Sequence, residues 1–385
     1  MTKVIMVLPR YLPIIGGAEV QCSRLIREFN KTGKVNIVSI VTRRVSNTLE
    51  KREYIDNIPV TRIPPSGTGM LVEYIFCLLL IFYLLLNYKK YDVIHCHASS
   101  IFGLSCSLVG FLLKKKVIIK ISTNGEIGSM QSSSIKRCIS RFLSKYCTYI
   151  ALNSEGYSEV NCYLSKAHKC IIPNGIDFNI NHEKNLELAT LIRKKLHKMY
   201  GEDIYICVFV GRFVKRKGIR EIYECGADLT ANGKKIIFVL IGDSELQRDA
   251  INFEYDHLHN FYIAGRKKNV FPYLIAGDLF ISPSHKEGLP NTVLEALSVG
   301  KVCILSDILP HQEIAYEHPK NVILFKTGDA QELKQTIINY LELNPHKSSL
   351  HSYVQIEDNV LLNKYSISCI AEQYCLLYKD KSNAS

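Results

Sequence analysis

Residues 280–300, FISPSHKEGLPNTVLEALSVG, determine the predicted fold of the C-terminal half of the chain. The stretch begins with an apolar run that is typical of a short buried strand, and a polar loop follows it. Pro290 and Asn291 suit the first turn of a helix, and the apolar residues after them give that helix a face to bury. The stretch therefore predicts a strand, a loop and a helix, with Glu287 in the loop and Glu295 on the helix.

The start of this helix predicts an anion site. The first turn of a helix has N–H groups without intrahelical partners and a partial positive charge, so it binds phosphate well. Gly288 permits a close approach of the backbone. Glu295 can accept hydrogen bonds from neighbouring sugar hydroxyls, and Glu287 can accept them from a second sugar. The alternative is an ordinary strand, loop and helix whose glutamates are solvated, and both interpretations stay open at this point.

Apolar runs alternate with helical segments along the whole chain. The runs that are typical of strands lie at residues 4–8, 35–41, 60–64, 93–97, 117–121, 149–152, 171–172, 204–210, 236–241, 261–264, 279–282, 302–305 and 322–325. This alternation predicts an α/β fold with doubly wound parallel sheets. It is interrupted at residues 179–201, a charged stretch that we interpret as a linker with one helix. We therefore predict one domain at residues 1–178 and a second at residues 179–365.

The composition indicates a globular protein of a reducing compartment with an anionic partner. The 385 residues suffice for two domains, and 47% are hydrophobic. Thirteen cysteines without a Cys-x-x-Cys pair suit a reducing cytosol, and the N-terminus lacks the layout of a signal peptide. The net charge of +12 favours nucleic acid, anionic lipid or phosphorylated small molecules. No nucleic-acid reader motif is present, so we expect no nucleic-acid partner.

A second group of cations follows the first strand of the C-terminal half. Arg212 comes directly after the strand, and the basic run at residues 215–217 follows it. Arg212 can bind a phosphate through two hydrogen bonds, and Lys217 adds a point charge, so the two can neutralise a leaving diphosphate. The alternative is a solvated basic turn. Because the chain has no Asp-x-Asp motif, we expect these cations to act without a bound metal or other cofactor.

Two features of the N-terminal half favour contact with a membrane. Residues 70–86 are apolar except for Glu73, and a helix of that length could just span a bilayer. Spanning would split the predicted sheet, so we favour a buried or membrane-facing helix. Arg137, Arg141 and Lys145 recur at i, i+4 and i+8 on one helix face, opposite an apolar face. This pattern is typical of a helix on an anionic membrane surface, and a soluble helix with a solvated charged face is the alternative.

Several motifs, in this order, resemble the retaining family 4 glycosyltransferases of the GT-B fold. They are GGAE at residues 16–19, DVIHCH at 92–97, IPNGID at 172–177, VGRFVKRKGI at 210–219 and EGLPNTVLE at 287–295. The resemblance covers nearly the whole chain. It implies two Rossmann-like domains that face each other across a cleft, with the acceptor held by the first and the nucleotide sugar by the second. It also implies that the last helix, within residues 366–385, returns to the N-terminal domain.

The resemblance assigns roles to individual residues. Arg212 and Lys217 would bind the donor diphosphate and act in catalysis. Glu295 would bind the ribose, and Glu287 would lie beside the transferred sugar as a catalytic residue. The other residues implied in donor binding are Gly17, Gly288, Leu289, Asn291 and Thr292.

The sequence departs from the family at one position. Many members have a histidine after the strand that here reads VIIKI, where it contacts the donor sugar, and this chain has none. Lys120, Ser122 and Asn124 are the candidates to take that place or to contact the acceptor. His95 and His97 lie on one face of a different strand, and we expect them to be structural.

The sequence thus predicts a hexosyltransferase that transfers a sugar from a nucleotide diphosphate sugar to a lipid-linked saccharide. The EGLPN motif favours a UDP-sugar, and the process would be surface polysaccharide biosynthesis, as for lipopolysaccharide O-antigen or capsule. Retention at the anomeric carbon follows from the resemblance alone. We expect a cytoplasmic enzyme that associates peripherally with the inner face of the plasma membrane. Two alternatives stay open: a sugar-nucleotide epimerase on the same fold, and a non-catalytic partner subunit of a glycosyltransferase.

Overall fold

The computed structural model describes residues 1–14, 16–123, 125–131, 133–178, 182–231, 233–243, 259–344 and 359–380. The chain divides into two compact units. The first unit comprises Met1–Asp177 and Asn363–Ser385, and the second comprises Phe178–Leu362. The predicted boundary at residue 178 lies beside the observed one, whereas the predicted end of the second domain at residue 365 lies three residues late.

The elements before the boundary are β1 (Thr2–Leu8), α1 (Gly17–Thr32), β2 (Val35–Arg43), β3 (Arg52–Ile55), β4 (Ile58–Ile63), α2 (Met70–Leu86), β5 (Val93–Cys96), α3 (Ile101–Leu113), β6 (Lys116–Lys120), α4 (Glu126–Met130), α5 (Ser134–Leu143), β7 (Cys147–Ala151), α6 (Ser154–Tyr163) and β8 (His168–Ile171). Those after it are α7 (His182–Tyr200), β9 (Tyr205–Val210), α8 (Ile219–Ala231), β10 (Ile236–Ile241), β11 (Phe261–Ile263), α9 (Phe271–Ala276), β12 (Leu279–Ser282), α10 (Asn291–Ser298), β13 (Val302–Ser306), α11 (Leu309–Glu317), β14 (Val322–Phe325), α12 (Ala330–Leu343), α13 (Asn359–Tyr365) and α14 (Ile367–Lys379).

The first unit is built on a sheet with the strand order β3-β4-β2-β1-β5-β6-β7-β8. Its neighbouring strands are parallel, except for the antiparallel pair β3 and β4. The chain moves outward from β1 on one side and from β5 on the other, which confirms the doubly wound prediction. Strand β3 was not predicted. It pairs with β4 through a tight turn in which Asp56 and Asn57 have φ of 51° and 64°, as a two-residue hairpin requires.

Helices cover both faces of this sheet because the strands are apolar on both sides. On one face, Phe76 and Leu80 of α2 pack with Phe102 of α3 in a buried cluster. On the other face, Phe29 of α1 contacts Tyr378 of α14, with ring centroids 5.8 Å apart. The final helix therefore completes the core of the first unit.

The chain returns to the first unit through backbone hydrogen bonds near Ile176. The N–H of Ile176 donates to the carbonyl of Tyr365 at 2.7 Å, and the N–H of Ile367 donates to the carbonyl of Ile176 at 2.9 Å. The buried side chain of Gln21 makes two hydrogen bonds to the backbone of Gly175, at 2.9 and 3.0 Å. These bonds hold the strand end, α1 and the start of α14 together.

Helix α2 packs on the sheet along only one side. Phe76, Leu80 and Leu84 are fully buried, and Glu73 forms an ion pair with Arg43 at 2.9 Å. The opposite side of the helix is exposed. Among the residues that the structure describes, no helix combines the length and the apolarity needed to cross a bilayer.

The second unit is built on a sheet with the order β11-β10-β9-β12-β13-β14, and its neighbouring strands are all parallel. Residues 182–200, which we had placed in a linker, form the packed helix α7. The guanidinium of its buried Arg193 lies 3.0 Å from Oδ1 of Asp278 and donates to the carbonyl of Ala276 at 2.7 Å. Asp278 also accepts the N–H of Ile206 at 2.8 Å. One buried ion pair thus joins α7 to β9 and to the start of β12.

Replacing Arg193 with methionine is expected to lower the unfolding free energy of the second unit by about 3 kcal/mol or more, because Asp278 would lose its ion partner inside the protein. Amide hydrogen exchange in β9 and β12 measures this change for the unit by itself. The control is Arg220→Met, which removes an exposed pair with Glu224 and is expected to cost less than about 1 kcal/mol. Equal losses in the two variants would contradict the expectation.

Candidate active site

The carboxyl ends of β9 and β12 are neighbours in the second sheet. From β9 the chain moves through β10 to β11 on one side, and from β12 through β13 to β14 on the other. Such a topological switch point is where open parallel sheets bind ligands. The loop after β9 contains Arg212 and Lys217, and the loop after β12 contains Glu287. The fold therefore brings the two predicted motifs together at one edge of one sheet.

An ion pair joins these two loops. Nζ of Lys217 contacts Oε1 of Glu287, and Nη1 of Arg216 lies 3.9 Å from Oε2. The side chain of Glu287 is only 8% exposed. The backbone supports the contact, because the N–H of His285 donates to the carbonyl of Arg216 at 2.8 Å.

Gly218 permits the close approach of the two loops. It has a φ of +70°, and a Cβ added there would lie 2.0 Å from the carbonyl oxygen of Pro283. A side chain at this position would therefore push apart the segments that contain Lys217 and Glu287. Glycine is required here by both its backbone angle and the available space.

The carboxylate of Glu287 is ionised at neutral pH. Burial alone would raise its pKa, but the charge of Lys217 and the hydrogen bonds from Lys217 and Ser284 outweigh burial and hold the pKa below its usual value. The hydroxyl of Ser284 donates to Oε1 at 2.8 Å. The site therefore contains a fixed negative charge whose ammonium partner is also the predicted ligand of a diphosphate.

A serine and a histidine behind the loop support Ser284. The hydroxyl of Ser306, at the end of β13, donates to the carbonyl of Ser284 at 2.5 Å. Nδ1 of His311 lies 2.8 Å from the carbonyl oxygen of Ser306 and therefore donates to it. His311 is fully buried, and its Nε2 has no hydrogen-bond partner among the described residues. Burial lowers the pKa of His311 to about 4, so the imidazole is neutral.

The loop also contains an exposed histidine that contacts α8. Nε2 of His285 lies 2.6 Å from Oε1 of the largely buried Glu221. Sequence analysis predicted neither this pair nor Ser306 and His311. The ends of β12 and β13 lie at the same edge of the sheet, so polar residues after predicted strands were the signal that could have identified Ser306 and His311.

Helix α10 begins directly after the loop that contains Glu287. Its first residue is Asn291, and Pro290 precedes the helix as its N-cap instead of lying in the first turn as predicted. Glu295 lies one turn into the helix and is 6% exposed. Glu287 and Glu295 are thus both buried, so the alternative of two solvated glutamates is wrong. Of the other predicted donor residues, Gly288 is buried, and Leu289 and Thr292 are partly exposed.

The basic turn after β9 contains cations in different environments. Arg212 and Lys217 are partly buried, whereas Lys215 is exposed. The backbone around Arg212 is fixed by hydrogen bonds, since the N–H of Phe213 donates to the carbonyl of Asp243 at 2.9 Å. The alternative of a solvated basic turn therefore holds for Lys215. It does not hold for Lys217, which pairs with Glu287.

In the first unit, Gly17 is the first residue of α1. Close to it, the buried carboxylate of Glu19 accepts a hydrogen bond from Nε of Arg10 at 2.9 Å. A Cβ added to Gly16 would lie 2.4 Å from this carboxylate. Within the GGAE motif, the carboxylate of Glu19 therefore lies close to the backbone just before α1. The role of Gly17 towards a diphosphate stays a prediction.

The three candidates for acceptor contact differ in their surroundings. Lys120 is buried, with Nζ 5.7 Å from the centre of the Tyr374 ring, and burial lowers its pKa to about 8. The hydroxyl of Ser122 donates to Oε1 of Glu126 at 3.2 Å. Asn124 lies outside the described residues.

His95 and His97 are buried in the first unit, and their rings stack with centroids 4.2 Å apart. Nδ1 of His95 lies 2.7 Å from the hydroxyl of Tyr378 on α14. Burial holds the pKa of both histidines well below the usual value. They pack inside the core beneath the last helix.

Within the described residues, no group of three His, Cys, Asp or Glu side chains is arranged to hold a metal ion. All thirteen cysteines are free thiols. Action without a metal stays a prediction.

Acidic pH is expected to destabilise the second unit through His311. Its pKa of about 4 in the folded protein lies below the ordinary value of 6.5. Because the unfolded chain binds this proton more readily, the unfolding free energy is not reduced above about pH 6.5. It falls as the pH decreases towards 4 and is about 2 kcal/mol lower at pH 5. Protonation of Glu287 affects stability in a lower pH range. Because its pKa is depressed in the folded protein, its contribution to the unfolding free energy is lost only as the pH falls below the ordinary value of 4.5.

Unfolding free energies of the wild type and of His311→Asn, each measured at about pH 7.5 and pH 5, test this expectation. The loss between the two pH values should be smaller in the variant by the amount that His311 contributes. An unchanged loss would show that His311 does not titrate in this range.

Comparison with known proteins gives matches along most of the chain. The family model described as "Glycosyltransferase Family 4" matches residues 15–179, and that described as "Glycosyl transferases group 1" matches residues 192–356. The UDP-Gal:alpha-D-GlcNAc-diphosphoundecaprenol alpha-1,3-galactosyltransferase of Escherichia coli is 26% identical over 305 residues, which is 74% of this chain and 72% of that protein. The N,N'-diacetylbacillosaminyl-diphospho-undecaprenol alpha-1,3-N-acetylgalactosaminyltransferase of Campylobacter jejuni is 28% identical over 165 residues, 42% of this chain and 43% of that protein.

Solved structures show the same fold. The sucrose-phosphate synthase of Thermosynechococcus elongatus superposes with a TM-score of 0.77 at 16% identity and covers 100% of both chains. HepE of Anabaena in complex with UDP has a TM-score of 0.72 at 16% identity and covers 98% of this chain and 99% of that one. The two family models together match most of the chain, in the predicted order and with the predicted fold, so this protein belongs to the family 4, group 1 glycosyltransferases of the GT-B fold.

Proposed function

We propose that this glycosyltransferase transfers a hexose from a UDP-sugar to a lipid-linked saccharide, with retention of anomeric configuration, in surface polysaccharide biosynthesis. The observation that carries the proposal is the ion pair of the partly buried Lys217 with the buried Glu287 at the switch point of the second sheet, directly before α10. The curated relatives add support, because one is named as a UDP-galactose enzyme and both are named for acceptors linked to diphosphoundecaprenol.

The cations of the second unit are proposed to stabilise the leaving diphosphate. Arg212 and Lys217 would neutralise the charge that develops as the sugar departs, which lowers the barrier to its departure. The backbone at the start of α10, around Gly288 and Asn291, would bind the phosphate oxygens through its N–H groups. Glu295 would accept hydrogen bonds from the ribose hydroxyls. No metal ion is needed in this scheme, since the cations take its part.

Glu287 is proposed to position the transferred sugar. Its ionised carboxylate is fixed by Lys217 and Ser284, so it presents a preformed acceptor to a sugar hydroxyl. A diphosphate would compete with Glu287 for the ammonium of Lys217. Donor binding would then place one cation between the carboxylate and the leaving group, close to the developing charge.

A lipid-linked acceptor also implies a location. Such a substrate stays in the bilayer, and nucleotide sugars are made in the cytoplasm. The enzyme would therefore work as a cytoplasmic protein at the inner face of the plasma membrane, without spanning it.

Binding of UDP is expected to stabilise the wild type by about 2.7 kcal/mol at a hundred times its dissociation constant. A thermal-shift series with UDP, GDP, ADP and CMP should show the largest shift for UDP. Arg212→Ala should lose that shift, because the guanidinium bound to phosphate is removed. The matched control is Lys215→Ala, an exposed cation of the same turn, which should keep it.

The role of Lys217 needs a paired variant. Lys217→Met alone would remove the ammonium that contacts the buried carboxylate of Glu287 and leave the Arg216 guanidinium 3.9 Å away, which would disturb the fold. Combining it with Glu287→Gln removes both charges together, and this double variant should fold and fail to bind UDP. An Arg212 variant or a double variant that binds UDP as the wild type does would contradict the proposed donor site.

Glu287→Gln is expected to lower kcat about a hundredfold or more while UDP binding changes little, because the ionised acceptor for the sugar is lost. The assay supplies a UDP-hexose and a saccharide on a diphosphate lipid, and excess chelator should leave the rate unchanged. Proton NMR of the product gives its anomeric configuration, and inversion would contradict retention. An altered nucleotide sugar formed without acceptor would indicate the epimerase, and UDP binding without any product would indicate the non-catalytic subunit.

A further inference from the structure

The outward side of α2 is a row of large apolar side chains in contact with solvent. Opposite the buried residues of this helix, the exposed residues recur at i and i+4 along its whole length. They include Met70, Leu71, Tyr74, Leu78, Phe82 and Leu86. An apolar stripe usually faces a core, and α2 has one on each side but a core on only one. The second stripe is therefore not explained by packing within the first unit.

Neighbouring helices continue this surface. Helix α3 packs beside α2 and exposes Leu108, Phe111 and Leu112, and α5 packs beside α3 and exposes Ile135, Ile139 and Phe142. The rings of Phe111 and Phe142 are in edge contact, with centroids 5.4 Å apart. Nζ of Lys136 on α5 lies 5.8 Å from the centre of the Tyr74 ring on α2. The three helices thus form one continuous exposed apolar surface, which we call the α2–α3–α5 face.

This face argues against the alternative of a soluble helix for α5. In that case Ile135, Ile139 and Phe142 would be buried against the sheet, but they are exposed, and of the apolar residues on that side only Leu143 is buried. Contiguous apolar patches of this kind are rare on soluble monomers and mark contact sites for proteins or membranes. No described residue of the chain covers the face.

Positive charge surrounds the α2–α3–α5 face. Lys89 and Lys90 follow the end of α2, Lys114 follows α3, Arg137 and Arg141 lie on α5, and Lys145 follows α5. The three helices contain one acidic residue, Glu73, and it is paired with Arg43. A second copy of the chain would bring this same basic surface against itself in a twofold interface, so like charges would repel. An anionic bilayer complements both the charge and the apolar area.

We propose that the α2–α3–α5 face inserts into one leaflet of an anionic bilayer, with the basic residues at the level of the lipid headgroups. This assignment rests on the proposed function in one respect, namely that a lipid-linked acceptor gives the enzyme a reason to lie on a membrane. Because the other side of α2 is fixed in the core, the helix lies in the plane of the membrane. Its apolar side reaches about 5–10 Å into the boundary between headgroups and acyl chains.

Vesicle flotation tests the face without either substrate. The vesicles contain phosphatidylcholine with about 30% phosphatidylglycerol, so they have the anionic surface that attracts basic residues. The wild type should float with them, and Leu78→Glu combined with Phe82→Glu should lower partitioning at least about tenfold. Both side chains are exposed, at 59% and 61%, so the melting temperature should not change. The matched control is Leu343→Glu with Leu376→Glu, which changes two exposed leucines that do not belong to the three helices of the face.

A second pair of variants tests the contribution of charge. Arg137→Gln with Arg141→Gln should weaken binding to the anionic vesicles about fivefold for each residue and leave binding to pure phosphatidylcholine unchanged. The proposal would be overturned if the wild-type protein did not bind the vesicles, or if the control variant lost as much vesicle partitioning as the α2 variant. So would a dimer in sedimentation that the α2 variant dissociates while no vesicle binding occurs, because the face would then belong to a second copy.

The vesicle assay and the UDP assay test separate proposals, so a negative result in one leaves the other proposal standing. The α2 variant should keep its thermal shift with UDP, since neither Leu78 nor Phe82 is a residue of the proposed donor site. Loss of UDP binding in the wild type, with vesicle binding intact, would reject the proposed function and leave the membrane face standing. The reverse result would reject the face alone.

Discussion

The ion pair between the partly buried ammonium of Lys217 and the buried carboxylate of Glu287 holds the site of the second unit together. Neither charge is stable inside a protein by itself, so each fixes the loop on which the other depends. The glycine at position 218 allows the loops to meet, and Ser284, Ser306 and His311 support the carboxylate from behind. The site is therefore preformed, and its charge balance would change if a diphosphate shared Lys217 as proposed.

Most of the fold could be predicted because each central strand of a parallel sheet is a continuous apolar run. Strand β3, with the sequence REYI, was missed because it is polar and lies at the edge, where pairing with β4 stabilises it more than burial does. Glu287 and Lys217 were both identified as candidates from the sequence, and the family resemblance then assigned their roles. Their direct contact was not, because it depends on β9 and β12 being adjacent, and no local pattern encodes the order of strands.

The burial of individual side chains decided between interpretations that the sequence left open. Glu287 and Glu295 could have been solvated, and α2 could have been buried on all sides. Composition describes how apolar a helix is, but the structure shows which of its sides meets the sheet. His311 was missed for a related reason, since its place after a predicted strand indicates only the edge of the sheet, and its burial is seen only in the structure.

The first unit is made from both ends of the chain, whereas the second is a single continuous segment. During synthesis, α14 leaves the ribosome only after the whole second unit has been translated. Until then the surface that receives Tyr374 and Tyr378, including Phe29 and the stacked ring of His95, is open to solvent. Although domains generally fold from the N-terminus during translation, here the unit that is begun first is the one that is completed last.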